Sequence, residues 1–540
     1  MSDNNKTPKI TVTLEPTGYH LECNSGTSLL TCAQMAGVEI NAVCAGNGTC
    51  GMCKVFVVSG DVSPLSDLEK EHLSLDEMNK NLRLACQVNA LSDCLVQFPP
   101  ESLATMQRLQ LEGQELHIKI DNDYLFQPGA YGFAVDIGTT KLAGYLLDMQ
   151  NGRTLAMGGV TNPQIAFGED VISRIQYTDN HEHGLDTLHR ILVDVLDKLL
   201  ADLCIEAGIS PSHVVEGVMV GNTAMHHFLA GIPVHSLGVA PYQPGQLASM
   251  YLPASGIGLP MAEDACVYLP PNIAGFVGGD HVAMLLATGA PSLPQTVIAL
   301  DIGTNTEISL IHQGRHWACS CASGPAFEGA HIHEGMRAIP GAIERFKLEN
   351  DKHQLLTIER KPAIGICGSG ILDVVAELRR AGILDRRGAF TANDPRVNRE
   401  NGNTRFVLVP ATDTGHGREI SINRSDVNEI QLAKAAIRSG VEMLLKTAGI
   451  TYEMIELFLV AGAFGTYLDI GNAVGIGMFP RISLECYRQV GNAAGVGAKQ
   501  MLLSKSHRAF AERLGDHIQY VELAGTREYP GIFMHAIALE

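Results

Sequence analysis

The stretch Cys44-Ala-Gly-Asn-Gly-Thr-Cys50-Gly-Met-Cys53 places three cysteines and three glycines within ten residues, and Cys86 follows further along the chain. Four thiolates are the ligands of a two-iron, two-sulfide cluster, two on each iron. The glycines let the backbone curl so that amide N–H groups can point at sulfur. The pattern therefore predicts a 2Fe-2S cluster held by Cys44, Cys50, Cys53 and Cys86.

Two other interpretations of these cysteines remain open from the residues alone. A close C-x2-C pair is common in structural zinc sites, and unliganded cysteines are often buried. The first gap of five residues resembles vertebrate-type and bacterial redox-partner ferredoxins, since plant-type ferredoxins have a gap of four. Three further cysteines nearby are predicted to be buried thiols: Cys23, Cys32 and Cys94.

The elements around the motif are predicted from hydrophobic spacing. They are strands at 9–15 and 19–23, a helix at 28–36, a strand at 54–58, a helix at 65–75, and a segment at 82–87 that delivers Cys86. This order resembles the β-grasp ferredoxin fold. We therefore expect residues 1–98 to form an electron-transfer domain and residues 99–130, which are mostly polar after Pro99-Pro100, to form a linker.

Composition limits the classes of function. A chain of 540 residues is too long for one core, and its net charge of −19 argues against a nucleic-acid or anionic-membrane surface. The polar opening residues do not resemble a signal peptide, and no apolar run approaches a membrane span. We expect a cytoplasmic protein, where the 13 cysteines persist as ligands or core residues.

Two segments of the remaining chain repeat one another. Gly132-Phe-Ala-Val-Asp-Ile-Gly-Thr-Thr-Lys141 and Val297-Ile-Ala-Leu-Asp-Ile-Gly-Thr-Asn-Thr306 each read as a buried strand, a Gly-Thr turn and a second strand. Amides and hydroxyls of such turns can donate to phosphate oxygens, while the aspartate holds Mg²⁺ through water. The predicted residues are Asp136, Gly138, Thr139, Thr140 and Lys141 in the first copy, and Asp301, Gly303, Thr304 and Asn305 in the second.

This pair of segments resembles the phosphate-binding pair of the actin, sugar-kinase and heat-shock-chaperone ATPases, in which two ribonuclease-H-like halves close on ATP. A third segment, Leu457-Phe-Leu-Val-Ala-Gly-Ala-Phe-Gly465, leaves a strand with a backbone bare enough for a base and ribose. We therefore expect adenosine contacts from Gly462, Ala463, Phe464 and Gly465. The same small residues would also suit a simple strand-to-helix turn.

Other motifs have weaker predictions. Asp280 is expected to cap the helix that follows it, or to position water or Mg²⁺ at the γ-phosphate as a third catalytic carboxylate beside Asp136 and Asp301. Asn222 and Thr223 could face the cleft, and His226 and His227 are expected on a helix surface or in a core. The C-x-C and H-x-H pairs between Cys319 and His333 favour a glycine-rich loop over a metal site. The glycines of 365–371 either receive a phosphate at a helix start or permit close helix packing.

With the cysteine motif, linker and nucleotide segments together, nearly the whole chain resembles the reductive activators of corrinoid proteins. The resemblance implies an α+β multidomain protein: a β-grasp 2Fe-2S domain, then ribonuclease-H-like α/β subdomains at 131–295 and 296–540 that form an ATPase cleft. It implies a 2Fe-2S cluster, ATP and Mg²⁺ as cofactors, and one-electron reduction of a Co(II) corrinoid to Co(I). A loop at 320–327 is a weaker prediction for contact with the corrinoid.

The expected partners are a corrinoid protein of a methyltransferase system and an external electron donor, with no nucleic acid and no membrane; a homodimer stays open. Three alternatives also remain, and one is a regulatory cluster joined to a nucleotide-binding pair that holds ATP without hydrolysing it. A small-molecule kinase with a fused redox module would need the same phosphate pair, and an ATP-dependent activator of a radical dehydratase would share one four-iron cluster between subunits.

Overall fold

The computed structural model describes residues 8–15, 19–36, 40, 46, 48, 51, 53–99, 102, 120–349, 352–391, 394–400 and 403–540. The chain divides into two compact units. The first comprises Met1–Gln107 with Thr161–Leu192, and the second comprises Arg108–Val160 with Val193–Glu540. Most of the predicted linker at 99–130 lies outside the described residues. No helix in the described ranges is both long and apolar enough to cross a membrane.

The N-terminal part of the first unit is a sheet flanked by short helices. Its strands are β1 (Lys9–Glu15), β2 (Tyr19–Asn24), β3 (Lys54–Ser59), β4 (Leu82–Leu84) and β5 (Cys94–Gln97), and its helices are α1 (Leu29–Met35), α2 (Asp67–His72) and α3 (Leu75–Asn79). The strand order is β2-β1-β5-β3-β4, with β1 parallel to β5 and the other pairs antiparallel. This mixed sheet confirms the predicted ferredoxin-type fold.

One prediction in this sheet is wrong in detail, because the single helix expected at 65–75 is two helices. Ser66 Oγ accepts from Glu69 N (3.2 Å) and Glu69 Oε2 accepts from Ser66 N (2.9 Å), which fixes the start of α2. Leu73 then adopts an extended backbone and is 4% exposed in the core. Burying this side chain ends α2 before α3 begins.

The remaining part of the first unit, Thr161–Leu192, is helical. It contains a 3-10 helix at Pro163–Phe167, then α4 (Val171–Asn180) and the beginning of α5 (Gly184–Ala207). The buried Arg174 guanidinium donates to Gly168 O (2.9 Å) and Gln164 Oε1 (3.1 Å), and so connects the 3-10 helix to α4.

The second unit contains two large sheets and two small ones. Its strands are β6 (Tyr131–Ile137), β7 (Lys141–Asp148), β8 (Thr154–Thr161), β9 (Val214–Gly221), β10 (Met250–Pro253), β11 (Cys266–Leu269), β12 (Val297–Ile302), β13 (Thr306–His312), β14 (Arg315–Cys321), β15 (Ala342–Glu349), β16 (Lys352–Thr357), β17 (Gly365–Ile366), β18 (Val397–Glu400), β19 (Asn403–Val409), β20 (Ile420–Asn423), β21 (Leu457–Ala461), β22 (Tyr487–Gly491) and β23 (Ile518–Tyr520).

The two large sheets repeat one arrangement. Their orders are β10-β11-β9-β6-β7-β8 and β22-β21-β12-β13-β14-β23. β6 is antiparallel to β7 and parallel to β9, just as β12 is antiparallel to β13 and parallel to β21. The predicted internal repeat is therefore a repeat of whole sheets, with β6 equivalent to β12 and β9 equivalent to β21.

The helices of this unit follow the strands to which they connect. They are α6 (Thr223–Ala230), α7 (His235–Gly238), α8 (Gly279–Thr288), α9 (Gly368–Arg380), α10 (Arg424–Ala448), α11 (Ala463–Tyr467), α12 (Ile470–Gly475), α13 (Ala493–Leu503), α14 (Lys505–His517) and α15 (Tyr529–Ala536). α10 begins at Arg424, because Asn423 and Asp426 form a capping box there.

A shared core joins the two large sheets. α8 and α13 cross so closely that a Cβ on Gly497 would lie 2.1 Å from Ala283 O. Buried residues of both helices pack in one cluster with residues of both sheets, among them Val218 and Leu459. The three-stranded sheets β16-β15-β17 and β18-β19-β20 come between β14 and α10 in the chain.

Candidate functional site

Two of the four predicted cluster ligands lie in the described residues. Cys53 directly precedes β3 and is 1% exposed, and Cys86 follows β4 and is half-buried. Gln87 Nε2 donates to Gly46 O (3.3 Å) and to Cys86 Sγ (3.5 Å), so this side chain connects the glycine loop to the fourth cysteine. Cys44 and Cys50 lie outside the described residues.

The described glycines of this loop suit a cluster cradle. Gly46, Gly48 and Gly51 all have positive φ, which favours glycine. A Cβ on Gly48 would lie 2.7 Å from Gln87 Nε2 and 2.9 Å from Leu68 Cδ1. The loop therefore favours glycine because of its backbone conformation, and the residues present fit a 2Fe-2S cluster.

The three other cysteines of this domain are buried, as predicted. Cys23 Sγ lies 3.4 Å from Cys32 Sγ. Burial raises the pKa of Cys32 to about 12, and the neighbouring Cys23 thiol adds to this. Burial also raises the pKa of Cys94. Cys32 and Cys94 are therefore protonated thiols at neutral pH.

The two Asp-Ile-Gly-Thr segments each form a tight turn, and the two turns differ in length by one residue. Gly138 N donates to Lys141 O (2.9 Å) after β6, and Gly303 N donates to Asn305 O (3.0 Å) after β12. The turns meet at their tips, where Thr140 Oγ1 lies 3.4 Å from Thr304 Oγ1. The fold thus brings both predicted phosphate segments to one place.

A cavity of about 210 Å³ opens where the turns meet. It is lined by twelve of the residues that the sequence predicts for nucleotide contact or catalysis: Asp136, Gly138, Thr139, Thr140, Lys141, Asp280, Asp301, Gly303, Thr304, Asn305, Gly462 and Phe464. Gly465 is not among the described residues that line it, and the side chain of Ala463 lies outside the described part.

Five carboxyl groups line this cavity, and burial is the first cause of the raised pKa values of four of them, Asp136, Asp280, Asp301 and Glu307. The pKa of Asp136 rises to about 6, although a hydrogen bond from Asn492 lowers it. The pKa of Asp301 rises to about 7, with a contribution from the charge of Asp136. The pKa of Glu307 is also raised, first by burial and then by Asp280 and Asp301. A bound cation would therefore be strongly favoured here.

Asp280 is not the N-cap of α8. The cap position is Gly278, and Asp280 lies in the first turn, where its Oδ1 accepts from His281 N (2.8 Å). Gly278 is required because a Cβ there would lie 2.5 Å from Gly221 O. Burial, then the charges of Asp301 and Asp136, raises the pKa of Asp280 to about 8.

A lysine provides positive charge beside these acids. Burial lowers the pKa of Lys141 to about 8, Glu328 opposes the shift, and Arg337 adds to it. Glu328 Oε1 also accepts from Thr304 Oγ1 (2.6 Å). The donor groups that could meet phosphate oxygens therefore come from both turns.

The predicted adenosine loop begins at Gly462. Its φ is +91°, and a Cβ there would lie 2.5 Å from Ile302 O and 2.7 Å from Asp301 Oδ1. Phe464 stacks on Phe327 with ring centroids 4.5 Å apart and planes 13° apart. The loop is also the strand-to-helix turn from β21 to α11, so the two interpretations describe one structure.

Two asparagines at strand-to-helix junctions also line the cavity. Asn222 Nδ2 donates to Thr139 Oγ1 (2.9 Å), and its Oδ1 accepts from Met225 N (3.0 Å). The sequence analysis predicted that Asn222 could face the cleft, but it did not identify Asn492. Asn492 caps α13 and forms a hydrogen bond with Asp136. The available signal was the repeated Val-Gly-Asn at 220–222 and 490–492. No comparable sequence repeat indicated that Glu307 and Glu328 would line the cavity.

The weaker motifs have structural explanations. His226 and His227 are buried in α6, 5% and 0% exposed. Cys319 and Cys321 are buried, whereas His331 and His333 are exposed and lie near Glu429 and Glu334, respectively.

The glycines that open α9 serve close packing, which was one of the two predicted roles. A Cβ on Gly368 would lie 1.7 Å from Phe327 O, and one on Gly370 would lie 2.1 Å from Ile343 O. The loop at 320–327 is mostly buried: Cys321 is 1% exposed and Phe327 4%. Contact between this loop and a corrinoid stays a prediction.

Family models match three consecutive regions of the chain. Residues 12–91 match the 2Fe-2S iron-sulfur cluster binding domain. Residues 131–291 match the RACo middle region, and residues 295–540 match the C-terminal domain of RACo, the ASKHA domain. ASKHA denotes the ATPase superfamily predicted above, so the N-terminal ferredoxin domain and C-terminal ATPase fold are both confirmed.

Curated and solved relatives agree with these matches. The corrinoid activation enzyme RamQ of Eubacterium limosum is 34% identical over 78% of this chain and 74% of its own length. The [Co(II) methylated amine-specific corrinoid protein] reductase of Methanosarcina barkeri is 26% identical over 70% of each chain. A solved reductive activator for corrinoid, iron-sulfur protein has 29% identity and a TM-score of 0.70, over 98% of both chains. The chain therefore belongs to the RACo family, the reductive activators of corrinoid proteins.

Proposed function

We propose that the chain is an ATP-dependent reductive activator that passes one electron from its 2Fe-2S cluster to the Co(II) corrinoid of a partner protein and so returns it to Co(I). One observation carries this proposal: the same chain has a ferredoxin domain and a cavity that is lined by both Asp-Ile-Gly-Thr turns. The relatives named as corrinoid activators and reductases support the choice of substrate.

The phosphates of ATP would lie between the two turns. Backbone amides and hydroxyls of 138–140 and 303–305 donate to phosphate oxygens, and Lys141 adds positive charge. The adenosine group lies along 462–465. This assignment explains why the turns after β6 and β12 meet in one cavity, where Thr140 Oγ1 lies 3.4 Å from Thr304 Oγ1.

Mg²⁺ would bind beside the phosphates at Asp136 and Asp301. Within the described ranges, no set of three or more His, Cys, Asp or Glu residues could hold a metal by itself. This agrees with Mg²⁺ chemistry at nucleotides, where one or two carboxylates act together with phosphate oxygens and water. Asp280 positions the water that attacks the γ-phosphate.

The four cysteines Cys44, Cys50, Cys53 and Cys86 would hold the cluster, which supplies one electron at a time when bound. Co(I) is strongly reducing, so an ordinary ferredoxin-level donor faces an uphill step, and about 59 mV is tenfold in a one-electron equilibrium. The residues around the cavity belong to both halves of the repeat. ATP binding can therefore favour one arrangement of the halves, in which the corrinoid becomes easier to reduce.

The cellular context belongs to the same proposal. The partners are a corrinoid protein of a methyltransferase system and an external electron donor, and the compartment is the cytoplasm.

The proposed domains are residues 1–98 for the cluster, residues 99–130 as a linker, and residues 131–295 and 296–540 for the two ATPase subdomains. A homodimer is compatible with this scheme.

The test mixes reduced protein, Mg-ATP and candidate Co(II) corrinoid proteins and follows the absorbance of Co(I). We expect Co(I) to form only when all three are present. Equal rate and extent without Mg-ATP would overturn the ATP coupling. Iron and sulfide counts of two per chain distinguish this scheme from a radical-dehydratase activator, and phosphoryl transfer to a small molecule would indicate a kinase.

A further inference from the structure

A second cavity, of about 510 Å³, lies at the outer edge of the sheet that contains β14 and β23. It shares no lining residue with the cavity between the phosphate turns. The turn before β14 and the end of α14 form its walls. Trp317 and Leu514, which are 2% and 4% exposed, form its buried apolar part.

The ionisable side chains that line this cavity all belong to arginine or histidine. They are Arg315 and His316 from β14, and Arg513 and His517 from α14. Among the described residues that line it, none is Asp or Glu. The nearby Glu512 instead accepts hydrogen bonds from Ser249 Oγ (3.1 Å) and Tyr268 OH (3.4 Å). This concentration of positive charge contrasts with the net charge of −19 of the chain.

The guanidinium groups of Arg315 and Arg513 have no carboxylate partner in the described part of the chain. Arg315 lies over the ring of Trp317, with its Cζ 4.7 Å from the ring centroid, and this stacking holds the planar group in position. Arg513 forms none of the ion pairs found among the described residues. Both groups therefore keep their donors available for an anion.

His316 provides a separate indication. Its Nδ1 is buried and has no hydrogen-bond partner in the described residues. A buried polar atom without a partner costs free energy, so native structures normally provide one. Burial, and then the charge of His517, lowers the pKa of His316. An anion in the cavity would offset the charge of His517 that acts on His316.

We propose that this cavity binds a small anionic molecule that carries phosphate or carboxylate groups. Arginine is suited to this role because its planar donors match the oxygens of both groups in bidentate fashion. The cavity volume lies in the usual range of small-molecule sites, about 300–1,000 Å³. The site is separate from the proposed nucleotide chemistry and does not depend on it.

The full chain provides its own reporter, because Trp317 is the only tryptophan in the sequence. The probes are pyrophosphate and citrate, added to the full chain without nucleotide or Mg²⁺, because ADP itself carries phosphates and both probes chelate Mg²⁺. KCl at matched ionic strength is the control. We expect a saturable change in tryptophan emission with at least one probe. Saturation by pyrophosphate alone identifies a phosphate site, and saturation by citrate alone identifies a carboxylate site.

Arginine variants show whether the binding occurs in this cavity. Arg513→Gln and Arg315→Gln should each weaken probe binding by roughly tenfold or more, because a hydrogen bond to a charged group contributes about 1.5–3 kcal/mol. Arg527→Gln is the matched control, since Arg527 is exposed and does not line the cavity. Arg315→Gln also removes the stacking on Trp317, so equilibrium dialysis of labelled probe measures its affinity.

Two results would overturn the proposal. One is an emission signal that does not report specific binding, either because KCl causes the same change or because neither probe changes the emission. The other is saturable binding that Arg315→Gln and Arg513→Gln leave unchanged. Thermal unfolding of each variant checks that it is folded.

Discussion

Thr140 Oγ1 lies 3.4 Å from Thr304 Oγ1, although the two residues are 164 positions apart in the chain. Each threonine follows a strand that ends in Asp-Ile-Gly, and the two strands, β6 and β12, occupy equivalent places in their sheets. An anion that binds beside one turn therefore also meets the other.

Asp301→Asn should remove most of the ATP dependence of Co(I) formation and leave the cluster spectrum unchanged. The substitution keeps the shape of the side chain but removes the charge that would hold Mg²⁺ through water. Losing such an outer-shell contact typically costs roughly 10–100-fold. The measurement is the rate of Co(I) formation with and without Mg-ATP. Asp264→Asn, on an exposed turn, is the control, and loss of the cluster signal in Asp301→Asn would contradict the domain partition.

Gly462→Ala should weaken ATP binding. The positive φ and a Cβ 2.5 Å from Ile302 O would force the loop away from Asp301. Such strain costs about 1–3 kcal/mol, so the Kd for ATP should rise by roughly 5–150-fold if the loop moves to relieve it. Calorimetric titration measures this change. Gly531→Ala in α15 is the control, because nothing lies within 4 Å of its Cβ position; unchanged ATP affinity in Gly462→Ala would count against the adenosine assignment.

Glu69→Gln should destabilise the ferredoxin domain by about 3–5 kcal/mol, because it leaves Arg83 buried without its countercharge. Arg83 Nε and Nη2 donate to Glu69 Oε1 (2.8 Å) and Oε2 (2.9 Å), and Leu84 N also donates to Oε1 (3.1 Å). Loss of cluster absorbance in urea reports this domain. Glu71→Gln, exposed on the same helix, should stay within about 0.5 kcal/mol of the native chain. Equal midpoints for both variants would refute the role of the ion pair.

The free protein should become less stable as the pH rises towards about 8. The pKa of Asp280 is raised from 3.8 to about 8 by burial and then by Asp301 and Asp136. Its contribution to stability is therefore fully present below pH 3.8, and is lost as the pH rises through about 8. Thermal unfolding without nucleotide or Mg²⁺ measures the effect. Relative to Asp280→Asn, the native chain should lose stability between pH 5 and pH 8.5; a constant difference would contradict the shift.

Local patterns predicted the elements of the site well. Strand alternation and the Asp-Ile-Gly-Thr repeat place β6, β7, β12 and β13 correctly, because each depends on neighbouring residues only. The predicted helix at 65–75 fails at Leu73, whose burial in the core overrides helical spacing. The N-cap role of Asp280 fails because Gly278 takes that position against Gly221 O. Asn492 was missed because its contact with Asp136 joins residues far apart in sequence.

The sequence by itself determined the class of this protein. A four-cysteine motif with glycines, and two copies of a strand ending in Asp-Ile-Gly-Thr, are local requirements of cluster and phosphate chemistry, so they can be recognised without a fold. Only the tertiary structure decided which groups meet: the contact of Thr140 with Thr304, the five carboxyl groups in one cavity, and the basic cavity beside Trp317. The physical reason is that charge repulsion, burial and hydrogen bonding between distant residues depend on distances that only the packed sheets set.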